Sequence, residues 1–265
     1  MRAARLGDVP QRLAAAPRFV AVEVGERDDA DQPLAVIDDR HPADLDLGHV
    51  DQHLVRWPRE RHDWGALRAW AWGASRLREA LGNDPRIDDG QISLAGHSRF
   101  GKAVLVAAAF DHKFADALVS SSGAGGAKLM RRHFGEAWSN MASSGAFHWY
   151  TPQVMEYAGH QHVRDLPVDA HMLIALRAPR PLFISTGLAE KGDAWVDPKG
   201  MWIAASLAAP AWKLYGLPVP PSSAMPRAMV GYRNYPLAFF QHDQGHVPWP
   251  SYPAFMAHEA KFAHR

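Results

Sequence analysis

Ser98 lies in the run Ile92-Ser93-Leu94-Ala95-Gly96-His97-Ser98-Arg99-Phe100-Gly101-Lys102, between a strand-like apolar segment and a helical one. A nucleophile elbow belongs at such a place, because a sharp strand-to-helix turn exposes a serine hydroxyl. Gly96 leaves room for backbone to pass close by, and the following helix points its positive N-terminus at any oxyanion formed there. The chemistry this permits is acyl transfer. The run departs from the G-x-S-x-G pattern, since Phe100 holds the second glycine position and Gly101 follows one place later. A plain strand, turn and helix with a serine at the bend fits the pentapeptide equally well.

A serine nucleophile on such a turn needs an acid and then a histidine further along the chain. Glu190, Asp193 and Asp197 share one loop after the expected strand at 181–185, and Asp197 also has the makings of a helix N-cap before Pro198. His246, in Gln244-Gly245-His246-Val247, follows the last expected strand. His242 competes with it from nearer the strand end, but Gly245 gives His246 the looser loop that a proton-transferring side chain needs. Arg99, next to the serine, can supply a guanidinium donor to an oxyanion; its bland reading is a surface arginine paired with a loop.

Other conspicuous residues have ordinary explanations. His148-Trp149-Tyr150 reads as packing, and His171 as a hydrogen-bonded core histidine. His160 and His162, two residues apart, would splay on a helix and lack a third ligand nearby, so no metal is expected. The stretch 123–126 lacks the Gly-Lys-Ser/Thr ending of a phosphate loop.

These groups need a scaffold, and the chain has enough material for one. Its 265 residues are 47% hydrophobic and 22% charged, which suits a single globular domain over 1–265. A net charge of +1 gives no electrostatic case for nucleic acid or an anionic membrane. The absence of cysteine excludes disulfides, thiolate metal sites and cysteine nucleophiles. No apolar run approaches the ~20 residues of a membrane span, and the two arginines of Met1-Arg2-Ala3-Ala4-Arg5 are not followed by the apolar stretch of a secretory signal.

Strands are expected at 18–24, 91–95, 117–121, 181–185 and 237–241. Helices are expected from after Pro58 to about Leu81 with Asp63 as N-cap, and at 101–109, 169–176, 198–208 and 252–263; residues 212–235 read as a long loop. The alternation implies an α/β fold with a mainly parallel sheet between helical layers. Only one strand precedes 91–95 in this reading, so the N-terminal strands of such a fold look absent.

The segment 96–102 resembles the elbow of the glucuronoyl esterases, carbohydrate esterase family fifteen, which reads Gly-Cys/His-Ser-Arg-x-Gly-Lys. The resemblance continues in Ser122-Gly123-Ala124-Gly125-Gly126-Ala127, Arg131-Arg132-His133-Phe134-Gly135-Glu136, Leu166-Pro167-Val168-Asp169-Ala170-His171 and Asp193-Ala194-Trp195-Val196-Asp197-Pro198. Upstream, Asp63-Trp64-Gly65-Ala66 and Ala69-Trp70-Ala71-Trp72-Gly73 resemble the family's bacterial branch. Linked motifs in order are far more specific than one elbow.

The resemblance implies an α/β-hydrolase three-layer sandwich and a cofactor-free serine esterase acting on esters of glucuronic or 4-O-methyl-glucuronic acid, as in links between glucuronoxylan and lignin. It implies Ser98 as nucleophile, Asp193 as acid, His246 as base and Arg99 beside the oxyanion, with Lys102, Glu136 and Trp195 on the sugar. The fungal branch carries its acid where this chain has Ser121, so the acid is expected from the later loop. Family members act outside the cell or in the periplasm. The competing expectations are another carbohydrate ester hydrolase, such as an acetyl-xylan esterase, and an inactive shortened member whose bare sheet edge would make it aggregate or pair.

Overall fold

The computed structural model describes residues 60–158, 163–221 and 224–263, and the backbone of Ala21–Glu23, Leu34–Ile37 and Ala43–Leu45. The expectations for the first residues of the chain, for Pro58 and for His160 and His162 fall outside the described residues. Strands β1 (Ala21–Glu23), β2 (Leu34–Ile37) and β3 (Ala43–Leu45) form an antiparallel sheet of their own. Among the described residues, three strands therefore precede the elbow where the sequence reading found one. Leu34-Ala35-Val36-Ile37 was the missed signal, a short apolar run directly after Pro33.

The second sheet is parallel, in the order β4 (Leu94–His97), β5 (Ala117–Ser120), β6 (Leu182–Thr186), β7 (Leu237–Gln241). Its strands are apolar and buried because helices cover both faces. Val119, Ile184 and Phe239 face one core together with helices α1 (Ala66–Gly82), α2 (Ser98–Phe110), α3 (Ala170–Ala175) and α4 (Pro198–Ala208). Their strand neighbours Leu118, Phe183, Ala238 and Phe240 face the other, closed by Phe255 of α5 (Tyr252–Phe262). This is the three-layer α/β-hydrolase fold.

Several boundaries differ from expectation, each for a physical reason. β4 starts at Leu94 because Asp88 accepts the Gly90 N–H and winds Asp89–Gln91 into a 3₁₀ turn first. Asp63 does not cap α1; its carboxylate accepts the Glu60 N–H, and Gly65 takes the N-cap position. A Cβ at Gly65 would meet the Trp149 carbonyl at 2.1 Å, so the chain can turn into α1 only with glycine there. Trp212 belongs to the short helix Pro210–Lys213 rather than to a loop, fully buried with its indole N–H donating to the Arg180 carbonyl.

Candidate active site

The C-terminal ends of parallel strands are where α/β folds place their chemistry, and the sequence-picked residues collect there. Ser98 is the first residue of α2, with φ at 56° in the left-handed region that a non-glycine residue rarely enters. Both flanking glycines are required by close packing. A Cβ at Gly96 would meet the Phe100 carbonyl oxygen at 2.6 Å, and one at Gly101 would meet the Ser120 carbonyl oxygen at 2.8 Å. The glycine one place later than G-x-S-x-G therefore sets α2 against β5.

Asp193 follows β6 and is fully buried. Its Oδ1 lies 2.6 Å from Nδ1 of His246, and its Oδ2 accepts the Ser121 hydroxyl at 2.8 Å and the Gly187 N–H at 2.5 Å. The other two acids of the loop are elsewhere engaged or turned away. Glu190 is exposed, and Asp197 caps α4 through the Gly200 N–H while accepting Arg132 Nε at 2.7 Å. His246 is half-buried; His242 is fully buried, its Nδ1 accepts the Gln244 N–H, and burial lowers its pKa.

His97 joins the two halves of the site, a role that sequence reasoning missed. It immediately precedes Ser98, its ring lies 4.3 Å from the His246 ring, and its Nδ1 is 3.0 Å from the Ser120 hydroxyl. Burial, reinforced by the neighbouring His246, pushes its pKa down to about 3. His97 is thus neutral at any ordinary pH, an uncharged wall against His246. The detectable signal was Ser120-Ser121-Ser122, three serines closing an otherwise apolar strand.

Arg99 is half-buried, and its guanidinium makes no hydrogen bond or ion pair among the described residues, against the surface ion pair of the bland reading. Lys102 and Glu136 are not solvated side chains. Both are buried, with Lys102 Nζ 2.8 Å from Glu136 Oε2 and 2.6 Å from the Ala124 carbonyl, while Glu136 Oε2 also accepts the Ala124 N–H. Burial lowers the Lys102 pKa and the Glu136 charge opposes that. Glu136 Oε1 has no hydrogen bond among the described residues and remains an available acceptor. Trp195 is 52% exposed beside this pair, and its carbonyl accepts the Glu136 N–H.

The aromatic run beside them is partly packing. Tyr150 directs its hydroxyl at the Ala124 carbonyl and at Met141, and Trp149 has the Lys102 ammonium 5.9 Å from its ring centre. His171 differs from expectation, being half-buried with an Nδ1 that finds no partner among the described residues. Among those residues, no group of three or more His, Asp or Glu is placed to hold a metal ion, and no helix is long and apolar enough to cross a membrane.

A left-handed serine at a strand-to-helix turn, set in a parallel sheet between helices, defines the class as an α/β hydrolase. The family model for fungal glucuronyl esterases matches residues 58–216, well over half of the chain. The chain belongs to the glucuronyl esterase family. A glucuronoyl esterase from Teredinibacter turnerae superposes with a TM-score of 0.74 at 49% identity, covering 77% of this chain and 48% of that one. A carbohydrate esterase of an unknown prokaryotic organism is 35% identical over 205 residues, 75% of this chain and 45% of the relative. A 4-O-methyl-glucuronoyl methylesterase from Hypocrea jecorina is 34% identical over 164 residues, 59% of this chain and 34% of the relative. The chain thus spans less than half the length of these curated relatives.

Proposed function

We propose that this protein is a serine esterase hydrolysing esters of glucuronic or 4-O-methyl-glucuronic acid, such as those joining glucuronoxylan to lignin alcohols. The observation that carries the reading is the left-handed Ser98 followed in space by His97, His246 and the buried Asp193. Ser98 attacks the ester carbonyl as His246 takes its proton, and Asp193 holds the imidazole and stabilises its charged form. The alcohol leaves with that proton, and water repeats the sequence to release the uronic acid. The N-terminus of α2 points at the developing oxyanion, and in this reading Arg99 adds its guanidinium as a further donor there; one preorganised donor is typically worth about 3 kcal/mol.

The uronic ester is neutral at its carboxyl group, so its hydroxyls must carry recognition. Glu136 supplies the acceptor Oε1, Lys102 holds Glu136 and the Ala124 carbonyl, and Trp195 supplies an indole N–H and an apolar face. No cofactor takes part. Such substrates lie in plant cell wall, which fits action outside the cytoplasm, as in the family it resembles. The test is hydrolysis of benzyl glucuronate beside p-nitrophenyl acetate, with Ser98→Ala as control. Glucuronate turnover abolished in Ser98→Ala supports the reading; cleavage of the acetate alone replaces it with a general or acetyl-xylan esterase.

A further inference from the structure

We propose that Ser121 is a positioning residue: its hydroxyl fixes the plane of the Asp193 carboxylate, and through it the orientation of His246. The inference rests on the reading of Asp193 as the acid of the site. Ser121 follows β5 directly, is fully buried, and has φ at 42°. A non-glycine residue in that region is strained, and such strain persists only where its surroundings impose it. A turn alone would be better served by glycine, so what the position gains from serine is its hydroxyl.

Among the described residues that hydroxyl has one partner, Asp193 Oδ2 at 2.8 Å. The Gly187 N–H binds the same oxygen, so the two donors orient the carboxylate and direct Oδ1 at His246 Nδ1. The Ser121 N–H meanwhile donates to the Ser185 carbonyl at 2.8 Å, extending the β5–β6 ladder one residue beyond β5 and anchoring the strained turn. The flanking serines serve other groups: Ser120 meets His97, and Ser122 accepts the Ala127 N–H of the loop above Lys102. Removing the Ser121 hydroxyl leaves a buried carboxylate oxygen with one backbone donor, free to rotate away from the line to His246.

The deciding variant is Ser121→Gly, which deletes the hydroxyl and relieves the backbone strain in one step. Ser121→Ala, Ser98→Ala and Asp193→Ala are prepared beside it. The readouts are melting temperature, kcat and KM on benzyl glucuronate, and the low-field proton resonance of His246 Nδ1–H, identified by its loss in Asp193→Ala. For Ser121→Gly the melting temperature stays within about 3 °C of the parent, because relief of strain offsets the lost hydrogen bond. Its kcat falls about ten-fold or more with KM unchanged, and the His246 resonance shifts upfield or broadens. Ser121→Ala gives the same kcat loss.

Parental kcat and an unshifted resonance in Ser121→Gly overturn the proposal. Full turnover by Ser98→Ala or Asp193→Ala overturns instead the underlying reading of the site. The resonance needs no substrate, so it decides the role of Ser121 whichever ester the protein accepts.

Discussion

The parallel sheet carries an Asp–His pair at each end, and the two have the same contact distance. At the C-terminal end, His246 Nδ1 meets Asp193 at 2.6 Å; at the opposite end, His258 Nδ1 meets Asp116 at 2.6 Å. They differ in what surrounds them. The side chain of His246 is 28% exposed and its ring lies against the residue that precedes Ser98. His258 is wholly buried, and its second nitrogen is bound to the Tyr235 carbonyl at 2.9 Å. The pair distance alone thus says nothing about chemistry. An imidazole can relay a proton when its second nitrogen reaches a reactive group, and it becomes a strut when that nitrogen is tied to the backbone.

The strongest test of this contrast exchanges each histidine for alanine. His246→Ala is expected to lower turnover by about 10⁴-fold, the scale for loss of a catalytic base, with little change in stability because the site is partly open. His258→Ala is expected to do the reverse. It strands a buried Asp116 carboxylate and empties a space against Phe183 and Phe262, costing about 3–5 kcal/mol in urea denaturation. Turnover per folded molecule stays at the parental value. A stability loss for His246→Ala as large as that for His258→Ala would erase the distinction.

The two ends also differ in the sign of their pH dependence: burial lowers the pKa of His97 and His242 at the open end, whereas the shifted groups of the closed end are raised. Glu259, adjacent to His258, is 2% exposed, and its Oε2 has no hydrogen-bond partner among the described residues. Burial raises its pKa from 4.5 to about 7, against a partly compensating hydrogen bond from Ser93. A carboxyl raised in the folded state stabilises fully below its unfolded pKa, and that contribution disappears as pH rises through the folded value. The His258 pKa is also raised: burial lowers it, but the Asp116 charge and the hydrogen bonds to Asp116 and to backbone outweigh burial. Its contribution is complete below about pH 6.5 and is lost above its folded pKa, in the same direction. The melting temperature should therefore fall above about pH 6.5; below that pH the lowered pKa values of His97 and His242 act the other way, adding stability as pH rises. Relative to the parent, Glu259→Gln should lose a falling contribution between pH 4.5 and 7 worth about 3 kcal/mol. An unchanged slope in that variant would remove Glu259 from the account.

Much of this was legible in the sequence, and the failures share a cause. The elbow, β5 and β7 could be read because buried parallel strands are continuous apolar runs and the turn after β4 has a local glycine signature. Asp197 could be read as a helix cap, because capping is decided within three residues. Contacts across long separations left no such trace. Nothing near Gly65 announces that the Trp149 backbone will press against it, and so the start of α1 was misplaced. The Lys102–Glu136 pair spans 34 residues and the His258–Asp116 pair 142, so the burial of neither could be inferred from spacing. Ser121 registered only as a position without an acid, although its hydroxyl binds the acid supplied by another strand.

The smallest expected effect probes the closed end through a single hydroxyl. Ser93 begins the approach to β4, accepts the Asp116 N–H at 3.1 Å and hydrogen-bonds Glu259, holding that carboxyl below the value burial alone would give. Ser93→Ala leaves a buried backbone donor unsatisfied, which costs about 1–2 kcal/mol at every pH. It also raises the Glu259 pKa further, since the interaction favouring the charged form is gone. The decline of stability with pH should then continue to a higher pH than in the parent, because the folded carboxyl keeps its proton longer. Thermal melts between pH 5 and 9 would show both effects, a uniform drop and an upward displacement of the decline. A uniform drop without that displacement would mean that Ser93 acts on Asp116 alone and that Glu259 titrates independently of it.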